Sequence, residues 1–160
     1  MWIVFDDLSL ESRVWVFQSD RILTKDEQKA MDGHLKDFVQ NWSTHGSQMH
    51  ASHIILHNCF VIIAADEQKQ SASGCSIDSF TGLFKTFGEQ FKLSFFDRFS
   101  IAYKSDAGVE VVSLNTFKEL ISTESINENT RVFNNIISTK QDLLNKWDLP
   151  LKESWQKRYL

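Results

Sequence analysis

Between Thr24 and Phe91 the hydrophobic period changes from helical to strand-like and back, and this alternation narrows the possible folds more than any other feature of the chain. Met31, Leu35, Phe38, Val39 and Trp42 recur at helical spacing after Thr24. Residues 52–56 and 59–65 are short apolar runs rich in β-branched residues, with His57-Asn58 as the turn between them. Ile77, Phe80, Phe84, Phe87 and Phe91 then fall on one helical face. An apolar strand precedes the block at residues 14–17, and another follows at 96–103.

The order β-α-β-β-α-β is that of the split βαβ, or ferredoxin-like, unit. The expected class is therefore α+β: an antiparallel sheet with helices on one face and a C-terminal β/α extension. Residues 1–160 read as a single domain, with a core at about 12–114 and the extension at about 115–160 packed on it. In residues 13–18, Trp15 and Phe17 alternate with Val14 and Val16, so both faces are apolar and a central strand is expected.

Local signals fix the element ends. Thr24 with Glu27 forms a capping box, and Asp26 and Glu27 suit the positive end of the helix. Residues 43–46 are expected to stop this helix, with Gly46 free to take positive φ. Residues 66–73 read as a polar loop, and Ser76 or Asp78 as the cap of the second helix. Residues 96–103 and 109–114 read as a hairpin around Ser105 to Gly108. Asn115 is expected to cap a short helix, residues 131–137 to form a strand, and Thr139 with Asp142 to open one more helix that Pro150 terminates. The tail, with Trp155 and Tyr159, is expected to pack back on the body.

Composition excludes several functions. The formal charge is -4 and no Lys/Arg-rich run occurs, which disfavours a nucleic-acid backbone as partner. Two cysteines, Cys59 and Cys75, make no disulfide framework and match no zinc spacing. The longest apolar run is too short to span a bilayer, and Asp6 and Asp7 stand where a signal peptide would be positive, so a cytoplasmic location is expected. P-loop, dinucleotide-binding and nucleophile-elbow glycine patterns are all missing. No metal and no cofactor are expected. On a strand, His53 and His57 lie about 13 Å apart, too far to share an ion.

Topology brings candidate chemistry together. In a split βαβ unit the loop at 43–51 lies beside the loop at 66–75, and the 105–108 turn is expected at the same end. His45, Asp66, Glu67, Cys75 and Lys104 would then share one neighbourhood. In Ser73-Gly74-Cys75-Ser76-Ile77-Asp78, Gly74 allows an unusual backbone and Cys75 opens a helix, where free amides lower a thiol pKa. Cys75 with His45 is the candidate catalytic pair; Asp66, Glu67, Gly74, Ser76 and Lys104 are the candidate ligand-binding residues. The same amides suit a carboxylate or phosphate. The plainer reading is a capped helix start with a small thiol, and a strand that ends in solvated carboxylates. Asn134-Asn135, inside an apolar run, are expected to bond to a neighbouring loop.

A resemblance rests on Val14-Trp15-Val16-Phe17-Gln18-Ser19, Trp42-x-x-His45-Gly46 and Ala72-Ser73-Gly74-Cys75-Ser76-Ile77-Asp78. It continues through Phe96-Asp97-Arg98, Val112-Ser113-Leu114-Asn115, Val132-Phe133-Asn134-Asn135 and Pro150-Leu151-Lys152-x-Ser154-Trp155. Over nearly its whole length the chain resembles a small family of bacterial proteins of about this size, often labelled "ABC transporter ATPase". The sequence carries neither a Walker A loop nor a signature loop, so the resemblance implies a cytoplasmic bacterial protein and no reaction. The leading expectation is a non-enzymatic module that binds a partner protein, a second copy of itself or a small ligand. The alternative is a small enzyme using Cys75 with His45. An RNA-binding sheet, with Trp15 and Phe17 as stacking rings, ranks third.

Overall fold

The computed structural model describes residues 1–160 and is a mixed α+β protein. Strand β1 (Arg13–Gln18) leads to α1 (Lys25–Asn41), then to a tight hairpin of β2 (Ser43–Thr44) and β3 (Ser47–Gln48). Strands β4 (His50–Leu56) and β5 (Phe60–Asp66) follow, then α2 (Gly74–Phe91). The first sheet has the order β1-β5-β4, with β5 antiparallel to both neighbours.

The second half is β6 (Ser100–Ser105), β7 (Gly108–Ser113), α3 (Leu114–Ser122), β8 (Arg131–Phe133), α4 (Lys140–Asn145) and β9 (Asp148–Pro150). Its strands form a separate antiparallel sheet, β7-β6-β8-β9. The sequence pattern places the strand after α2 in the first sheet; instead β6 pairs with β7 and β8. The position beside β1 is taken only at one end, by a single bridge between Arg13 and Thr139.

Three packing layers result. One face of the first sheet offers Val61, Ile63 and Ala65 to Met31, Leu35 and Val39 of α1 and to Phe80, Phe84 and Phe87 of α2. Aromatic contacts dominate this layer: Phe17 stacks on Phe84 at 3.8 Å between centroids, and Trp15 meets Phe80 edge-on at 5.1 Å. The opposite face, with Val14, Phe60, Ile62 and Ala64, packs on Ala102, Phe133 and Trp147 of the second half. The far side of the second sheet buries Ile101, Tyr103 and Val132 against Phe117, Ile126 and Leu151.

This layering corrects several expectations. Strand β1 is an edge strand, not a central one: its two apolar faces are covered by helices and by the second sheet, which says nothing about which strand pairs beside it. Residues 43–46 are not a helix stop but the start of the β2-β3 hairpin, which turns at His45 (φ 48°) and Gly46 (φ 77°). Ser73, not Ser76 or Asp78, caps α2, its hydroxyl accepting the Ser76 amide. Gly74 is an ordinary first helical residue with no positive φ. Phe96 and Phe99 lie before β6 in an exposed loop. Ser113 caps α3 in place of Asn115, and β8 ends at Phe133, so Asn134-Asn135 leave the sheet. Pro150 ends β9 rather than α4.

Other local signals match the structure. The Thr24–Glu27 capping box is present, His57 and Asn58 (φ 52° and 57°) turn between β4 and β5, and Thr139 caps α4.

Candidate functional site

Two recesses hold the chemistry of the molecule, and they lie at opposite ends of the first sheet. At the end where β5 finishes, the β2-β3 hairpin faces the start of α2. Here Thr44 and His45 stand across from Ser73, Gly74, Cys75 and Ser79, and form an open groove of about 500 Å³. His45 and Cys75 thus share one recess, but no hydrogen bond joins imidazole and thiol; the Cys75 carbonyl accepts from the Ser79 hydroxyl. Cys75 is exposed, whereas Ser76 is turned inward and spends its hydroxyl on the Ser73 carbonyl.

Asp66 and Glu67 are near this end but outside the groove. Asp66 accepts the Gln68 amide, and Glu67 accepts the Ala72 amide at 2.6 Å while facing Arg13 at 3.7 Å. Both carboxylates shape the loop between β5 and α2. Asp66 also borders a small recess of about 60 Å³ with His50 and Lys69.

Lys104 does not join them. It pairs with Asp148, and its ammonium lies 6.0 Å from the centre of the Phe133 ring. Phe133 packs on Phe60 and His57, at the far end of the sheet. The reason is the departure of β6 from the first sheet, which carries the 105–108 turn away from Asp66. The three histidines of the β4 region stay separate: His53 bonds Asp32 at 2.7 Å, His57 packs on Phe133 and Trp147, and His50 is exposed. No group of three or more His, Cys, Asp or Glu side chains is arranged to hold a metal ion.

The second recess is a cleft of about 400 Å³ between the β1 edge and the second sheet. Such a volume is ordinary for a small-ligand site, about 300–1,000 Å³. Three side-chain amides order its walls. Gln18 donates through Nε2 to the Ser100 carbonyl and accepts from Asn135 Nδ2, and Asn135 Oδ1 accepts from the Trp147 indole. Gln156, 4% exposed, donates to the Phe133 carbonyl at 2.9 Å; its Oε1 has no partner. Phe96, Ile136 and Trp155, all exposed, border the opening.

Asp97 and Arg98 supply the only formal charges of this cleft. Hydrogen bonds from the Ser100 hydroxyl and the Phe99 amide hold the Asp97 carboxyl below the usual carboxylate range. Arg98 forms no ion pair. Sequence reasoning saw Asn134-Asn135 as amides in need of partners, but did not see the cleft. Its walls come from β1, the loop before β6, the segment after β8 and the C-terminal turn, and a strand that turns away at Asn134 is what opens it. An amide pair interrupting an apolar run was the available signal.

No helix is long and apolar enough to cross a membrane. Compared with known proteins, the chain matches no family model, no curated protein and no solved structure.

Proposed function

We propose that this chain is a non-enzymatic binding module, cytoplasmic and built on a ferredoxin-like half, whose small ligand lies in the cleft between β1 and the second sheet. In this reading β1, α1, β4, β5 and α2 are the split βαβ unit, and the fourth strand has been recruited into the second sheet. One observation carries the binding proposal: a cleft of about 400 Å³ whose walls combine the amides of Gln18, Asn135 and Gln156 with the exposed rings of Phe96 and Trp155. Rings at the opening and amides along the walls suit a ligand with an apolar body and an N–H or O–H group.

The test is a fragment titration followed by amide NMR. Ring fragments carrying a donor are expected to shift Gln18, Ser100, Asn135 and Gln156, and a folded Gln156→Leu variant is expected to lose the response. Shifts that map elsewhere, or undiminished binding by Gln156→Leu, would refute the cleft as the site. Sedimentation addresses the alternative occupant, a second copy: a dimer that dissociates on Trp155→Ala would replace the small ligand.

A thiol enzyme is the second reading, favoured by the shared groove of His45 and Cys75. Alkylation separates it cleanly. Burial pushes the Cys59 thiol up to about 12, so modification at neutral pH reports Cys75 alone. Fast alkylation of Cys75 that slows in His45→Ala supports the enzyme; the slow rate of an ordinary exposed thiol removes it.

A further inference from the structure

The free edge of β1 is closed at both ends and open in the middle. In an antiparallel pair, successive residues turn their N–H and C=O alternately toward the partner strand and away from it. The Val14 amide donates to the Ser138 carbonyl at 2.9 Å, outside the first sheet, so Val14, Val16 and Gln18 point away from β5. The Ser12 carbonyl accepts the Lys140 amide, and the Asp20 amide donates to the Ser94 carbonyl, in the same alternation. Other segments of the chain thus fill the outward positions at Ser12, Val14 and Asp20. Between them, the Val16 N–H and C=O and the Gln18 N–H have no hydrogen-bond partner. Both residues line the cleft between β1 and the second sheet.

The chain after β8 is the segment whose register would complete this edge. Its bridge pairs Arg13 with Thr139 antiparallel, and continuing that register sets Ile136 opposite Val16 and Asn134 opposite Gln18. Neither residue takes the position. Ile136 is 78% exposed, and Asn134 gives its amide to the Trp147 carbonyl. Gln18 and Asn135 meet only through their side chains. An exposed strand edge is a template for another extended chain, and here the template is confined to one gap with a cleft in front of it.

We propose that the cleft takes a short extended peptide, which adds beside β1 and completes the open positions at Val16 and Gln18. This rests on the cleft being the binding site and adds the class of its ligand. The unmatched groups run N–H, C=O, N–H over about 7 Å of strand. One extended stretch of three residues supplies the carbonyls and the N–H that match them, and backbone pairing of this kind is a general mode of peptide recognition. Phe96 and Trp155 at the opening offer apolar surface to the peptide side chains.

The experiment is a titration of the whole protein with N-acetyl-leucyl-valyl-leucine N-methylamide, read by amide NMR. Saturable downfield shifts and slowed hydrogen exchange are expected at Val16 and Gln18, with little change at Trp15 and Phe17, which face β5. The same peptide N-methylated at every amide keeps its side chains and loses its donors; it should bind at least about fivefold more weakly, the worth of one ordinary hydrogen bond. Val16→Pro deletes a donor at an edge position where no pairing with β5 is lost, and should weaken the parent peptide about fivefold. Equal affinity of the methylated peptide, or shifts that map to the β4 edge, would overturn the proposal. Shifts at Val16 and Gln18 that follow protein concentration without peptide would put a second copy on the edge instead. Ring fragments that bind in the cleft where the peptide does not would remove the peptide alone; failure of both would remove the cleft as a site.

Discussion

Helices α1 and α2 lie side by side on one face of the first sheet, have nearly equal length, and begin in opposite ways. The start of α1 is closed by the protein itself. Thr24 accepts the Glu27 amide, and the Glu27 carboxylate accepts the Thr24 amide and both terminal nitrogens of Arg21. The start of α2 has one serine cap and faces a groove. The α1 start behaves as a structural joint, since its donors and charges are already matched. The α2 start keeps its donors, and its attachment comes from elsewhere: Phe80, Phe84 and Phe87 are fully buried along its length.

That division of labour predicts a graded series. The largest effect should come from Phe84→Ala, which removes the ring stacked on Phe17 and touching Phe87 and Phe95. A cost of about 3–5 kcal/mol in urea unfolding is expected. A small cost would mean that the start, not the core stripe, anchors α2.

Glu27→Gln comes next. It keeps a side-chain acceptor for the Thr24 amide but removes the charge that pairs with the Arg21 guanidinium, for about 1 kcal/mol, a value held down because Arg21 is partly in water. The Arg21 guanidinium holds the Glu27 carboxyl at about 2, against an ordinary 4.5. Its stabilisation is therefore complete above pH 4.5 and is lost as pH falls toward 2. Unfolding measured across that window should show the parent losing stability that Glu27→Gln never had. Parallel pH profiles for the two proteins would contradict the closed joint at α1.

Ser73→Ala should cost about 1 kcal/mol, the worth of an ordinary N-cap, with no pH dependence between 2 and 4.5. Smallest is Gly74→Pro, which touches no satisfied amide and restricts the unfolded chain. A gain of about 0.4–1 kcal/mol is expected from thermal unfolding. A clear loss would show that the Gly74 amide is already engaged, and the contrast between the helix starts would vanish.

How much of this was legible depends on how far each feature reaches along the chain. The capping box, the Phe stripe and the His57-Asn58 turn are set by residues within a few positions of one another, and the sequence shows them directly. The meeting of His45 with Cys75 follows from the crossover order of neighbouring elements. Lys104 was misplaced because its position depends on which sheet β6 joins, and an apolar strand suits either. The cleft was missed for the same reason. Gln18 meets Asn135 across 117 positions, and Gln156 reaches Phe133 from the C-terminal turn.

The residues alone determined the types of the main helices and strands, the caps of α1 and α4, and the antiparallel pairing of β5 with β1 and β4. Alternation and helical periodicity are consequences of local backbone geometry, so they are written in neighbouring residues. Only the tertiary structure decided that the fourth strand would leave the first sheet, that β1 would be an edge, and that a cleft would open where the chain turns away at Asn134. Two apolar faces on a strand record burial, and burial against a second sheet or against a helix is the same signal to the sequence.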